Sequence, residues 1–315
     1  MSKMAESNRL QANRQKQIYG FKLFLLIVPF MVLVFLFCYF PLYGWLYAFY
    51  DYKPPIPFSK SAFVGLHWFS YLFSNSVQRR MIGQVLINTF ALSGLGLITS
   101  WIPMVFAIFL SEIRSTKFKR VVQTLTTLPN FISWVLIFAV AFTFFTSDGM
   151  INTLLKQFGL IKNSILFLNS DKHTWLTMWV WLTWKTLGWN AILYLAGIAS
   201  IDQELYEAAR VDGAGRFRLM WHITAPGLMP TFFVLLMLSI GNLLNNGLEQ
   251  YFVFQNNFNK AHIQVLDLYV YNIGLGSTGS MSLATAVSAM KSLVSVALLF
   301  TANWFSKLIR GESLF

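Results

Sequence analysis

Apolar residues in this chain come in long runs separated by short polar segments, rather than in the strict alternation of a half-buried strand. Six runs stand out, at about residues 22–49, 86–111, 121–146, 174–200, 228–248 and 281–306. Each approaches or exceeds the roughly 20 residues that a helix needs to cross a bilayer. Spanning strands would instead alternate over ten-residue segments, a pattern these runs lack. The first run extends from Leu23 to Phe49 without a charge, and Pro29, Pro41 and Gly44 predict kinks within it. The pattern therefore predicts an all-α integral membrane protein with six transmembrane helices. Between the first two runs, Pro54, Pro55 and Pro57 force an extended path, and the aromatic stretch from Trp68 to Phe73 is expected on the membrane surface. Residues 262–275 have the spacing of a short amphipathic helix, broken by Gly274, Gly276 and Gly279.

Composition agrees with a membrane assignment: of 315 residues, 56% are hydrophobic and only 11% charged. The net charge of +12 does not indicate nucleic acid, because the basic residues are scattered over the segments between runs. They set orientation instead. With the N-terminus in the cytoplasm, fourteen Lys and Arg fall on inner segments, including Lys3, Arg9, Arg14, Lys16, Lys22, Arg114 to Arg120, Arg210, Arg216, Arg218, Lys307 and Arg310. Eight fall on the longer outer loops, so both termini and residues 201–227 are expected in the cytoplasm. The polar residues ahead of the first run argue against a cleavable signal peptide. Cys38, the single cysteine, reads as a small core hydrophobe. His67, His173, His222 and His262 lie far apart with no ligand spacing, so a metal site is not expected. Nothing resembles a Ser or Cys nucleophile beside a base, which argues against a membrane enzyme.

One polar stretch breaks this apolar pattern: EAARVDGAGRFRLMWHITAPGLMP, residues 207–230. Residues 202–212 are mostly helix formers, with Asp202 placed as N-cap and Glu204 in the first turn, where the helix dipole favours an acid. Ala208 and Ala209 give a smooth face, Gly213 suits the positive φ of a helix end, and Asp212 can accept from nearby backbone amides at the bend. A second amphipathic piece should follow, with Phe217, Met220 and Ile223 on one side and Arg216 and Arg218 on another, before Pro226 and Pro230 mark the next span.

Glu207, Ala208, Ala209, Asp212, Gly213 and Ala214, followed by Ile223, Pro226 and Pro230, closely resemble the EAA loop of binding-protein-dependent ABC importer permeases, with Met220 and Ala225 as minor departures. PLYGWLYAFYDY (41–52), WKTLGWNAILYLAGIASIDQELYEAARVDGA (184–214), VLDLYVYNIGL (265–275) and SLATAV (282–287) resemble the polysaccharide, LplB-like branch of carbohydrate permeases. The resemblance implies a MetI-like permease domain over 86–306, preceded by a cytoplasmic segment (1–21) and an additional span with its outer loop (22–85), and followed by a cytoplasmic tail (307–315). It also implies a second homologous permease, two ATPase subunits that bind ATP and magnesium, an external solute-binding protein and a saccharide substrate. In that arrangement the six EAA-loop residues seat in a groove of the ATPase, with Glu207 reaching its donors. The chain itself has no phosphate loop: GLGSTGS (274–280) lacks the lysine.

Sugar sites combine aromatic faces with planar amides. Trp181, Trp184, Trp189 and Asn190 in the fourth run, and Asn242, Asn245, Asn246, Glu249 and Gln250 at the end of the fifth, supply both. The same residue types also form interfacial belts and bind helices together. Lys185 and Lys291 fall inside runs, where a lysine costs about 2.5–3.5 kcal/mol at a helix centre and should face a cavity or partner. A structural role suits Lys185 at least as well as ligand contact, whereas Lys291 is a candidate for a sugar hydroxyl or uronate carboxylate. The alternatives to an importer are a secondary transporter driven by an ion gradient, which the lack of acids within the runs disfavours, and a non-transporting membrane protein.

Overall fold

The structure is a computed structural model and describes residues 19–276 and 279–310. Helix α1 occupies residues 19–34 and continues through a π-turn (Phe35–Tyr39) and a 3-10 stretch (Phe40–Phe49). An antiparallel ladder follows, pairing Tyr50 with Phe63 and Asp51 with Ala62. Next come α2 (His67–Ser74), α3 (Ser76–Ile98), α4 (Ile102–Ser111), α5 (Thr116–Thr127), α6 (Trp134–Phe145), α7 (Met150–Gln157) and α8 (Thr174–Ala199). The polar loop holds α9 (Gln203–Val211) and α10 (Arg216–Leu219), and a π-turn (Met220–Thr224) joins α10 to α11 (Ala225–Gly241). Beyond lie α12 (Glu249–Phe254), α13 (Lys260–Ile263), α14 (Leu266–Leu275) and α15 (Met281–Arg310). The basic residues Lys3, Arg9, Arg14 and Lys16, and most of the expected tail, lie outside the described residues.

Among the described residues, five stretches are long and apolar enough to cross a membrane: Tyr19–Phe49, Ser76–Ser111, Trp134–Gln157, Arg216–Gly241 and Met281–Trp304. The run at 174–200 is also one continuous helix, α8, but its tryptophans, threonines, Lys185 and Asn190 keep it below that apolarity.

Several expectations are corrected. The run 121–146 is not a single helix, because Pro129 lacks an amide hydrogen and opens a 3-10 turn (Leu128–Phe131) that separates α5 from α6. The run expected to begin at 86 starts at Ser76, where Asn75 Oδ1 accepts from the amides of Val77 and Gln78 at 3.0 and 3.1 Å, and it breaks between Ile98 and Ile102 ahead of Pro103. The fifth run is helical from Arg216 to Gly241, so Asn242–Gly247 form a turn beyond it. Its amphipathic opening does not have the expected faces: Met220 is buried while Phe217 is 77% exposed. Residues 262–275 divide between α13 and α14. Cys38 is exposed on the first apolar stretch rather than in a core. The Trp68–Phe73 stretch is not a simple surface piece, since α2 buries Leu72 completely against α3, α14 and α15.

Among the described residues, three apolar clusters hold the helices together. The first joins α3, α6, α8 and α12 through Leu92, Ile137, Met178, Tyr251 and Phe254. The second joins α2, α3, α14 and α15 through Leu72, Val85, Tyr269 and Val287. The third joins α4, α8 and α11 through Met104, Ala107, Tyr194 and Leu228. Burying a side chain of this kind stabilises by about 1.5–3 kcal/mol relative to leaving it in water, and in lipid the same contacts act through close packing. Residues 19–43 contribute almost nothing to these clusters, and their large side chains point outward.

Candidate functional site

The α9 loop is built as its sequence requires. Asp202 Oδ1 accepts from the Glu204 amide at 3.0 Å, capping α9. At the other end Gly213 has φ +76°, the left-handed conformation in which any Cβ is strained. With that turn made, the amides of Asp212, Gly213 and Ala214 donate back to Ala208, Arg210 and Ala209 at 2.9–3.0 Å, satisfying the open carbonyls of the helix. Tyr206, which the sequence pattern did not single out, is the buried anchor: its hydroxyl lies 2.9 Å from Thr224 Oγ1 in the π-turn before α11. The opposite side is exposed, with Glu207 and Ala208 flanked by Leu205 and by Val211, which is 88% exposed. Among the described residues Glu207 makes no ion pair or side-chain hydrogen bond.

Lys185 and Gly188 seat α8 on the break between α5 and α6. Lys185 is buried, and its ammonium donates to the carbonyls of Pro129 at 3.0 Å, Asn130 at 3.1 Å and Ile132, with the Trp134 ring 5.3 Å away. The Pro129 carbonyl also accepts from the Ile132 amide at 3.2 Å, closing the 3-10 turn, and the positive charge complements the negative end of α5. One turn on, a Cβ at Gly188 would lie 2.6 Å from the Thr127 nitrogen and closer still to the Thr126 carbonyl. The Lys185 ammonium is thus committed to the backbone of this break. Gly188→Ala and Lys185→Met are each expected to destabilise by about 1–3 kcal/mol, through a backbone clash and through orphaned carbonyls respectively. Thermal unfolding in detergent checks this, and an unchanged transition in both variants would contradict the seat.

A groove of about 510 Å³ opens between α3, α4, α8, α11 and the 242–246 turn. It gathers four of the expected residues, Asn190, Asn242, Asn245 and Asn246. Around them stand Ser93, Thr99, Trp179, Thr183, Thr186 and Ser239, none of which sequence spacing had distinguished. Their signal was present as a helical stripe: Trp179, Thr183, Thr186 and Asn190 recur at three- and four-residue intervals on α8. The amides are held in place. Asn246 Nδ2 donates to Ser93 Oγ at 2.8 Å, Ser93 donates to the Leu243 carbonyl, and Trp179 Nε1 donates to Thr99 Oγ1 at 2.9 Å.

The other expected residues lie elsewhere. Trp181 packs edge-on to Phe145 and Trp184, while Trp184 and Trp189 are nearly half exposed, the latter edge-on to Phe131. Gln250 is buried, with Nε2 donating to the Met178 carbonyl at 2.8 Å, and Glu249 is exposed in the first turn of α12. Lys291 forms an ion pair with Asp267, both side chains less than one-fifth exposed. Lys291 also donates to Asn245 Oδ1 at 2.9 Å, and the Gly247 amide donates to Asp267 Oδ2 at 3.0 Å. Asp267 was not distinguished because it sits on α14, outside every apolar run.

Residues 101–311 match the family described as binding-protein-dependent transport system inner membrane component. The chain is 42% identical to protein LplB of Bacillus subtilis over 93% of this chain and 91% of that one. It is 36% identical to the polygalacturonan/rhamnogalacturonan transport system permease protein YteP of the same organism, over 93% and 90%. Its backbone superposes with a TM-score of 0.81 and 30% identity on a chain of a bacterial ABC transporter involved in import of the acidic polysaccharide alginate, covering 93% of this chain and 97% of that one. This chain therefore belongs to the binding-protein-dependent inner membrane transport components: it is a non-catalytic, multi-pass ABC permease.

Proposed function

We propose that this permease pairs with a second, homologous permease to form the path by which an ATP-driven importer carries an oligosaccharide or polysaccharide fragment, including acidic ones, across the cytoplasmic membrane. The carrying observation is the capped, outward-facing α9 loop, anchored by Tyr206 to the foot of α11. Two ATPase subunits, which hold ATP and magnesium, take Glu207, Ala208, Ala209, Asp212, Gly213 and Ala214 as their coupling surface. An external solute-binding protein delivers the sugar. The alginate importer has also been crystallised with a periplasmic protein carrying an alginate pentasaccharide, which supports this assembly.

The groove of hydroxyls, amides and Trp179 is this chain's half of the path. Its planar amides match paired sugar hydroxyls and its indole offers an apolar face. In this reading α8 is the sixth crossing. Its 26 residues rise about 39 Å, and its one lysine is hydrogen-bonded by backbone carbonyls rather than facing lipid. Both termini and the α9 loop then lie in the cytoplasm, with residues 86–306 as the permease domain after an additional N-terminal span.

Proteoliposomes holding the two permeases and the ATPases test this, with the binding protein and labelled oligogalacturonate outside. Uptake is expected only with ATP and magnesium on the ATPase side, and collapse of ion gradients should leave it intact. Uptake that ignores ATP and stops with an ionophore would replace the importer by a gradient-driven transporter.

A further inference from the structure

A second polar cavity, of about 520 Å³, shares no lining residue with the groove. It opens where the start of α3 meets the 255–257 loop, α13, α14 and the start of α15. This is the end of the molecule away from the α9 loop: Trp175, at the first turn of α8, donates to the His262 carbonyl at 2.9 Å, and α8 runs its full length from there to α9. The volume lies within the roughly 300–1,000 Å³ of small-molecule sites.

The walls of this cavity are fixed while several of its side chains are uncommitted. Asn256 Oδ1 accepts from the amides of Phe258 and Asn259 at 2.9 and 3.1 Å, and Asn259 Oδ1 accepts from the Asn256 amide at 2.8 Å. Tyr269, completely buried, donates its hydroxyl to Gln78 Oε1 at 2.8 Å. Among the described residues, however, the side chains of Gln255, Asn257, Lys260, Gln264 and Asn272 make no hydrogen bond or ion pair. Four carboxamides and one ammonium thus converge on one hollow, and no carboxylate is among its lining residues. A carboxamide offers a donor and an acceptor side by side, which matches vicinal hydroxyls, and an ammonium matches a carboxylate.

We propose that this cleft is an approach subsite that holds the trailing units of a saccharide chain outside the groove, with Gln255, Gln264 and Asn272 engaging hydroxyls and Lys260 a uronate carboxylate. This rests on the saccharide reading above and extends it to chain length and charge. The fixed frame need not reorganise on binding, while the free side chains lose rotamer entropy that their new hydrogen bonds to the saccharide must offset. Because the cleft and groove are separate, short chains need only the groove, whereas longer ones reach both.

The test uses the full permease pair in nanodiscs and measures binding of galacturonate oligomers of three and six units, with malto-oligosaccharides of the same lengths as neutral counterparts. The double variant Gln255→Leu, Asn272→Leu is expected to weaken hexamer binding at least about tenfold and to spare the trimer. Lys260→Met is expected to weaken the galacturonate hexamer alone. Co-purification with the ATPases and an unchanged thermal transition verify folding. Equal losses for trimer and hexamer, no loss in either variant, or wild-type pairs that bind neither series each overturn the subsite. So do variants that lose affinity for the sugar-free binding protein, since the cleft is then a protein-docking surface. ATP-dependent uptake in proteoliposomes judges the importer reading separately, so the two can fail independently.

Discussion

Gly213→Pro and Glu207→Ala are expected to leave the permease inserted and folded but to uncouple ATP hydrolysis from uptake. Gly213 has φ +76°, and proline is held near −65°, so the substitution cannot keep the turn that returns three amides to the end of α9. The loop must adopt another path, and the surface presented by Glu207, Ala208 and Val211 is lost with it. Glu207→Ala keeps the turn and removes only a charge that has no partner within the described chain. Coupling energies between sites are commonly about 1–3 kcal/mol, or 5- to 150-fold. Glu207→Ala should fall within that range and Gly213→Pro at or beyond its upper end. Sugar uptake and ATP turnover measured on the same proteoliposomes, with ATPase co-purification as control, decide the matter. Normal uptake in both variants removes the coupling assignment.

The Asp267–Lys291 pair carries the second large effect. It joins α14 to α15 and also holds Asn245 and the Gly247 amide, so it fixes the turn that supplies the groove with amides. Removing one partner leaves the other charge largely buried without its counter-ion, which costs up to about 3–5 kcal/mol. Asp267→Leu or Lys291→Met alone should therefore lower thermal stability sharply and weaken saccharide binding in the groove. The double variant should recover most of the stability, because two apolar groups replace two charges and leave neither stranded. A double-mutant cycle on unfolding midpoints measures the difference. Simple additivity would mean that the pair contributes nothing as a pair.

The parts legible in the sequence were those set by local chemistry. Asp202 as a cap, Gly213 as a left-handed stop and the long apolar helices follow from residue type and spacing. The break at Pro129 was less visible, because the apolar run continues across it and only the backbone reveals the lost hydrogen bonds. The amides of Asn242, Asn245 and Asn246 were recognised as a group, but the groove they line depends on α3 and α8, distant in sequence. Lys291 looked available to a substrate because Asp267, its partner, lies on another helix. Tyr206 and Thr224 looked unremarkable for the same reason: one hydroxyl contact across 18 positions gives them their role. Contacts between remote segments leave no periodic trace in a single sequence.

That hydroxyl contact joins α9 to a helix unbroken from Arg216 to Gly241, about 39 Å long, whose far end is the amide turn. A tilt or rotation imposed at Tyr206 would enter at Thr224 and be carried along α11 to Asn242, past Pro230, which lacks an amide hydrogen. Its phase therefore matters as much as its composition. One residue inserted between Thr224 and Gly241 would turn the asparagines by about 100° around the axis and face them away from the groove, with both ends chemically intact.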